Sequence, residues 1–278
     1  MKKVEIIVIG AGKSGTSWLN NLMKSSSSFC FPDQKEIDYF SFKFSNGDNY
    51  YHSLFNDSNK LWVDNSPSYF SDANVPLRIY KYNPLAKLIL ILRDPLERAY
   101  SHYKMLLING QVNENINATY SSTSRIVKDS MYGSNISNYL TYFPSGQLLL
   151  LNFDDLQKYP EKITFQLENF LGIEIGNTEI NKVKVNARKG RPRGLKVYNW
   201  YTSMVGKGIR KSAFLRKSYK LYLNSPVQKL YNKLVFDEEG DFPKLSAERA
   251  VYFKKLFDED ILKIPNASVR NLIKGFFS

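Results

Sequence analysis

The chain has 278 residues, enough to bury a sizeable core, and its length favours one large domain over two small ones. It carries 39 Lys and Arg against 26 Asp and Glu, a formal net charge of +13, so anionic partners or substrates are expected. A lone cysteine, Cys30, excludes an internal disulfide framework, two histidines (His52 and His102) offer no zinc cluster, and no apolar run is long enough to span a membrane.

The first predicted element is an apolar strand over residues 4–9. It runs into Gly10-Ala-Gly-Lys-Ser-Gly-Thr-Ser-Trp-Leu19, where glycines break the strand and a helix begins near residue 15. Further strands are expected near residues 61–64, 87–92 and 147–152, and helices near 15–25, 73–82, 96–108, 134–142 and 160–171. The alternation implies a mostly parallel sheet covered by helices on both faces, a three-layer α/β fold. Residues 109–124 are polar and lack apolar periodicity, which reads as a mobile acceptor-side loop. The last third reads as helical, most clearly from Leu245 to Leu262. No internal repeat or linker divides the chain, so one domain is expected over residues 1–278, with a helical, basic portion from about residue 196.

The opening loop is an anion cradle. Free N–H groups at a helix start and the charge of Lys13 converge on one spot. It is not a Walker A loop, because the residue five positions ahead of Gly12-Lys13 is Ile7 rather than glycine. The run Lys87-Leu-Ile-Leu-Ile-Leu92 reads as a buried parallel strand and delivers Arg93 first, where a magnesium-dependent nucleotidase is expected to place a carboxylate.

Four stretches together resemble the sulfotransferases that use 3′-phosphoadenosine-5′-phosphosulfate (PAPS), in particular the carbohydrate or heparan-sulfate-like branch. They are Gly10–Leu19, Pro32–Phe40, Val63–Phe70 and Leu90–Ser101, with weaker echoes in Tyr132-Gly133, Phe170-Leu-Gly172 and Lys189-Gly190-Arg191. The resemblance implies a P-loop-like fold, PAPS as donor, 3′-phosphoadenosine-5′-phosphate (PAP) as product, and no metal. It implies that Lys13 stabilises the leaving phosphate, with Ser14, Gly15, Thr16, Ser17 and Trp18 around the 5′-phosphosulfate. Arg93 and Ser101 match the 3′-phosphate site, and Lys189, Gly190 and Arg191 a loop that closes over the nucleotide. Arg98 is read as a surface or ion-pairing residue.

Glu36, within Lys35-Glu-Ile-Asp-Tyr-Phe40, matches the base of the heparan-sulfate-like branch. Partial burial against Tyr39 and Phe40 is expected to raise its pKa. His102 is the rival base, although a helix turns it about 100° from its neighbour Ser101. Lys35, Asn65, Ser66 and Tyr69 are the candidate substrate contacts. Asn65 stands where relatives often carry a lysine, and Tyr69 and Phe70 are read as core in preference to stacking surfaces.

Fifteen of the basic residues lie between Ile180 and Phe236, which contain no Asp or Glu. Within this stretch, residues 182–233 offer a contact for an anionic surface or membrane, and part of it alternates basic and apolar residues as a basic amphipathic helix does. No nucleic-acid reading motif accompanies it. The expected acceptor is a small molecule or glycan. Two alternatives stay open: a small-molecule kinase using ATP and Mg²⁺, and a non-catalytic polyanion or membrane-surface binder on the same fold. Met1-Lys-Lys leads directly into the first strand without a signal-peptide pattern, so a soluble, cytoplasmic protein of prokaryotic or viral origin is expected.

Overall fold

The computed structural model describes residues 2–175, 191–192, 236–237 and 241–277. The chain forms two compact units. The first comprises Met1–Tyr100, Ser122–Asn186 and Glu248–Ser278; the second comprises Ser101–Ser121 and Ala187–Ala247.

The first unit is built on a five-stranded parallel sheet in the order β2-β3-β1-β4-β5. The strands are β1 (Ile6–Gly10), β2 (Phe29–Cys30), β3 (Leu61–Asn65), β4 (Lys87–Leu92) and β5 (Leu148–Asn152). The central strands read as unbroken apolar runs because both faces are covered. Ile7 and Ile9 of β1 face one side with Leu88, Leu90 and Leu92 of β4, packed with Ile79 and Tyr82 of α4 (Val75–Tyr82) and Ile136 and Tyr139 of α8 (Tyr132–Leu140). Ile6 and Val8 face the other side with Ile89 and Ile91, packed with Leu19 and Leu22 of α1 (Thr16–Lys24) and Ile163 and Leu167 of α10 (Pro160–Leu171). Period-two alternation in each strand thus feeds two separate cores.

Three short helices near the chain start and middle were not expected from periodicity: α2 (Tyr39–Phe42), α3 (Gly47–His52) and α9 (Phe153–Lys158). A short α7 (Arg125–Lys128) is capped by the Ser124 hydroxyl, which accepts the Val127 N–H. At the other end of the chain, α11 (Ala247–Ile261) and α12 (Ala267–Phe276) supply Ile261 and Ile273 to the first core. Gly133 in α8 makes the approach of α11 possible. A Cβ there would lie 1.7 Å from the Asp260 carbonyl oxygen. Asp260, itself buried, accepts both the backbone N–H and the hydroxyl of Ser134.

Helix α5 (Pro95–Ile108) starts at an Asp-Pro pair: Asp94 accepts the Glu97 N–H at 2.8 Å, and Pro95 occupies the first turn. In the second unit, the polar stretch expected to be loop holds a helical turn, α6 (Ile116–Thr119), because the Asn115 side chain caps it by accepting the Ala118 N–H. Tyr103 donates to the Asn113 carbonyl at 3.2 Å, and β6 (Arg191–Pro192) pairs antiparallel with β7 (Phe236–Asp237). Among the described residues no helix is long and apolar enough to cross a membrane.

Candidate active site

β1 lies between β3 and β4, the chain runs from β1 outward to β2 on one side and crosses from β3 past β1 to β4 on the other, and the carboxyl ends of these strands therefore flank a topological switch point. Three candidate segments start there: Ala11–Gly15 after β1, Ser66–Phe70 after β3, and Arg93 after β4. Two backbone bonds seat the first two. The Ala11 N–H donates to the Ile91 carbonyl at 2.9 Å, and the Ser66 N–H to the Val8 carbonyl at 3.1 Å.

The loop after β1, expected to be an anion cradle, turns from the strand into α1 within Ala11–Gly15. Gly15 enters α1 with φ 93°, a left-handed conformation that glycine adopts without a Cβ penalty, and no side chain caps the helix. The Trp18 N–H donates to the Gly15 carbonyl at 2.9 Å, and the N–H groups of Thr16 and Ser17 before it carry the positive end of the helix dipole. Lys13, in the middle of the loop, is itself left-handed with φ 73°.

Arg98 departs from its expected place on the surface. It is fully buried, and its guanidinium donates to the Ser130 hydroxyl at 2.6 Å, to the Gly12 carbonyl at 3.4 Å and to the Ile126 carbonyl. It ties α5 and α7 to the cradle. Nothing in the apolar periodicity marks it, because a charged side chain is expected outside unless its partners are known.

Across from the cradle, Lys35 donates to the Ser17 hydroxyl in the first turn of α1 at 2.7 Å. Its ammonium also lies 3.6 Å from the Glu36 carboxylate, with 27% of the Lys35 side chain and 53% of the Glu36 side chain exposed. Burial pulls the Lys35 pKa down, and the neighbouring Glu36 opposes that fall. Tyr39 and Phe40, the apolar walls expected around Glu36, are fully buried, with Tyr39 stacked on Tyr51 at 4.1 Å between ring centres. Glu36 is therefore a half-exposed carboxylate held by a lysine rather than a buried one.

The segment around Glu36 is strained. Among the described residues, the non-glycine positions with positive φ are Lys13, Glu36 (63°) and Asp38 (57°). Each costs about 1–3 kcal/mol, and such conformations gather at functional sites when their surroundings enforce them. Here two of the three are the residues the sequence singles out for cation and base.

Asn65 is 3% exposed, and its Nδ2 donates to the Thr16 carbonyl at 2.9 Å, so it fastens the start of α1 to the end of β3. Ser66 and Tyr69 are fully buried and bind Asp64 through their hydroxyls, each at 2.7 Å. Tyr69 and Phe70 are core, as the sequence reading prefers. The signal that could have found the Asp64 cluster is a lone acidic residue at the end of an otherwise apolar strand.

Arg93, 25% exposed, forms an ion pair with Glu97 at 3.1 Å and lies over the Phe153 ring at 4.9 Å. Its carbonyl accepts the Tyr132 hydroxyl at 2.8 Å, and burial pushes that phenol up to about 12. The Arg93–Glu97 pair is the ordinary helical pairing at i and i+4, worth little in water because Glu97 is largely exposed. Ser14, Thr16 and Trp18 are buried, as are Ser101 and His102 on α5 in the second unit. Lys189 and Gly190 lie outside the described residues, and Arg191 begins β6. The 182–233 stretch is otherwise outside them too.

Known proteins resemble this chain in both sequence and fold. It is 28% identical over 193 residues to the human bifunctional heparan sulfate N-deacetylase/N-sulfotransferase 2, covering 61% of this chain and 22% of that protein. It is 28% identical over 207 residues to mouse heparan sulfate glucosamine 3-O-sulfotransferase 5, covering 66% of this chain and 57% of that protein. The chain thus spans less than two thirds of either relative. A crystal structure of a sulfotransferase from Alicyclobacillus acidocaldarius shares the fold with a TM-score of 0.56 at 21% identity, over 64% of this chain and 84% of that one. The family model described as the sulfotransferase domain matches residues 3–221, most of the sequence, and the chain therefore belongs to the sulfotransferase domain family.

Proposed function

We propose that this chain transfers a sulfuryl group from PAPS to a hydroxyl or amine of a carbohydrate acceptor. The observation that carries the reading is the bridge made by Lys35, whose ammonium joins the first turn of the cradle helix to the Glu36 carboxylate. A leaving-group site and a candidate base are thereby within one side chain of each other. Membership of the sulfotransferase domain family supports this reaction class over the ATP/Mg²⁺ kinase reading. The heparan sulfate relatives support a glycan acceptor.

In this reading the bond from sulfur to the bridging 5′-phosphate oxygen breaks as a bond forms to the acceptor oxygen or nitrogen. Glu36 takes the acceptor proton, and PAP departs. Negative charge grows on the leaving oxygen, so Lys13 and the first amides of α1, with Ser14, Gly15, Thr16, Ser17 and Trp18, are assigned there; one such donor is typically worth about 2.7–4 kcal/mol. Lys35 is assigned to the sulfonate in transit, where it supplies the charge that Asn65 lacks. The motif match assigns the 3′-phosphate to Arg93 and Ser101, and nucleotide closure to Lys189, Gly190 and Arg191. Trading the weak Glu97 pair for a phosphate suits the Arg93 fork.

A thermal-shift comparison combined with a transfer assay tests the proposal. PAP at about 100 times its Kd should stabilise the fold by roughly 2.7 kcal/mol, and ATP with Mg²⁺ by much less. Radiolabelled PAPS should then give acceptor-dependent product on heparan sulfate. Equal protection by MgATP would overturn the donor assignment, and PAP binding without transfer to any glycan of a panel would leave a non-catalytic binder in its place.

A further inference from the structure

Beneath the Glu36 segment lies a carboxylate that the proposed chemistry does not use. Asp64, at the penultimate position of β3, is fully buried and accepts three hydroxyl protons, from Tyr51, Tyr69 and Ser66, each at 2.7 Å. Burial raises the Asp64 pKa, and the three hydroxyl bonds oppose that rise by holding the charged form; an ionised carboxylate only accepts, so in that form all three hydroxyls turn their single proton toward it. That leaves their lone pairs facing outward. Ser66 Oγ accepts the Asp38 N–H at 3.0 Å, and Tyr69 Oη accepts the Phe40 N–H at 3.2 Å. Ser68 adds a bond from its hydroxyl to the Asp38 carboxylate at 2.5 Å. The two bonded amides lie two and four residues after Glu36, one within and one just past the turn in which Glu36 and Asp38 are left-handed.

We propose that Asp64 is a positioning residue for the base: by drawing the Ser66 and Tyr69 protons to itself, it converts both hydroxyls into acceptors that lock residues 36–40 and thereby aim Glu36. The inference rests on the assignment of Glu36 as base for its catalytic consequence. Its structural content stands apart from that assignment. Asp64 has no route to the donor cradle through these bonds, so its effect should fall on the acceptor half of the site.

The decisive variant is Asp64→Asn. An amide side chain has one acceptor oxygen and two N–H donors, so at least one hydroxyl must turn its proton back toward the backbone N–H it was receiving. Amide hydrogen exchange should accelerate at Asp38 and Phe40, roughly two- to tenfold for one lost hydrogen bond, while residues 11–19 keep their wild-type rates and the PAP Kd is unchanged. Transfer from PAPS to heparan sulfate should fall, and combining Asp64→Asn with Glu36→Gln should cost no more than Glu36→Gln alone.

Unchanged exchange at Asp38 and Phe40, or acceleration spread evenly over the chain, would overturn the proposal. Should Asp64→Asn not fold, Tyr69→Phe and Ser66→Ala carry the test: each removes one acceptor, and transfer at the wild-type rate in both would equally overturn it. Glu36→Gln with full transfer would instead remove the base assignment, leaving the exchange result to judge Asp64 by itself.

Discussion

Lys35 and Ser17 meet at 2.7 Å, which joins a loop after β2 to the first turn of α1. The lysine ammonium is drawn in by this hydroxyl and by Glu36 at 3.6 Å, and the burial that results makes its charge less stable than that of a free lysine. A cation that is costly to keep charged is well suited to a site where a sulfonate arrives, since the anion restores what burial removed.

The pH dependence of transfer follows from this. The Lys35 pKa lies below its ordinary value of 10.5, so as pH rises the ammonium is lost earlier than from a surface lysine. The rate should therefore fall on the alkaline side at a pH below 10.5. Arginine stays charged throughout that range, so Lys35→Arg should move the alkaline limb upward even if its maximal rate is lower. Identical alkaline limbs in a pH–rate comparison of the two proteins would count against a charged role for Lys35.

Arg93 offers a test of donor orientation. If its fork binds the 3′-phosphate, Arg93→Ala should weaken PAP binding by about 1.5–3 kcal/mol while leaving the affinity for adenosine 5′-phosphosulfate, which lacks that group, nearly unchanged. Calorimetric titration of both ligands into both proteins measures the difference. Parallel losses for the two ligands would place the arginine away from the 3′ end.

Gly133 makes a prediction about stability alone. An added Cβ would sit 1.7 Å from the Asp260 carbonyl oxygen, a backbone atom that no rotamer change can move. Gly133→Ala must displace α11 and loosen the Asp260–Ser134 contacts, costing about 1–3 kcal/mol or more by the usual scale of overpacking. Chemical denaturation reads this directly. A midpoint equal to that of the unmodified protein would mean that α11 does not depend on close contact with α8.

The parts legible in the sequence are those whose cause is local. The apolar runs of β1 and β4 announce strands covered on both faces, and Asp94-Pro95 marks the start of α5 through capping chemistry contained within four residues. The expected helices at 15–25 and 160–171 appear as Thr16–Lys24 and Pro160–Leu171, through apolar positions that recur at helical spacing. The short helices α2 and α3 escaped because Tyr39, Phe40 and Tyr51 are ordered by packing on one another, in a pattern with no helical period. The two residues of β2 are too few to show alternation.

What the sequence by itself determined is the inventory: a glycine-flanked lysine between a strand and a helix, a Lys-Glu pair, an arginine at the end of a buried strand, and an order of motifs that identifies the family. Only the tertiary structure decided the partners. Ser17 and Lys35 are far apart along the chain, as are Thr16 and Asn65, and each pair comes within hydrogen-bonding distance only when the sheet sets β3 beside β1 and brings the ends of these strands to the same edge. Hydrogen bonds act over about 3 Å, whereas sequence patterns report only which face a residue prefers. The burial of Arg98 and the proton-gathering role assigned to Asp64 depend on that short range, and so become visible only when the sheet is assembled.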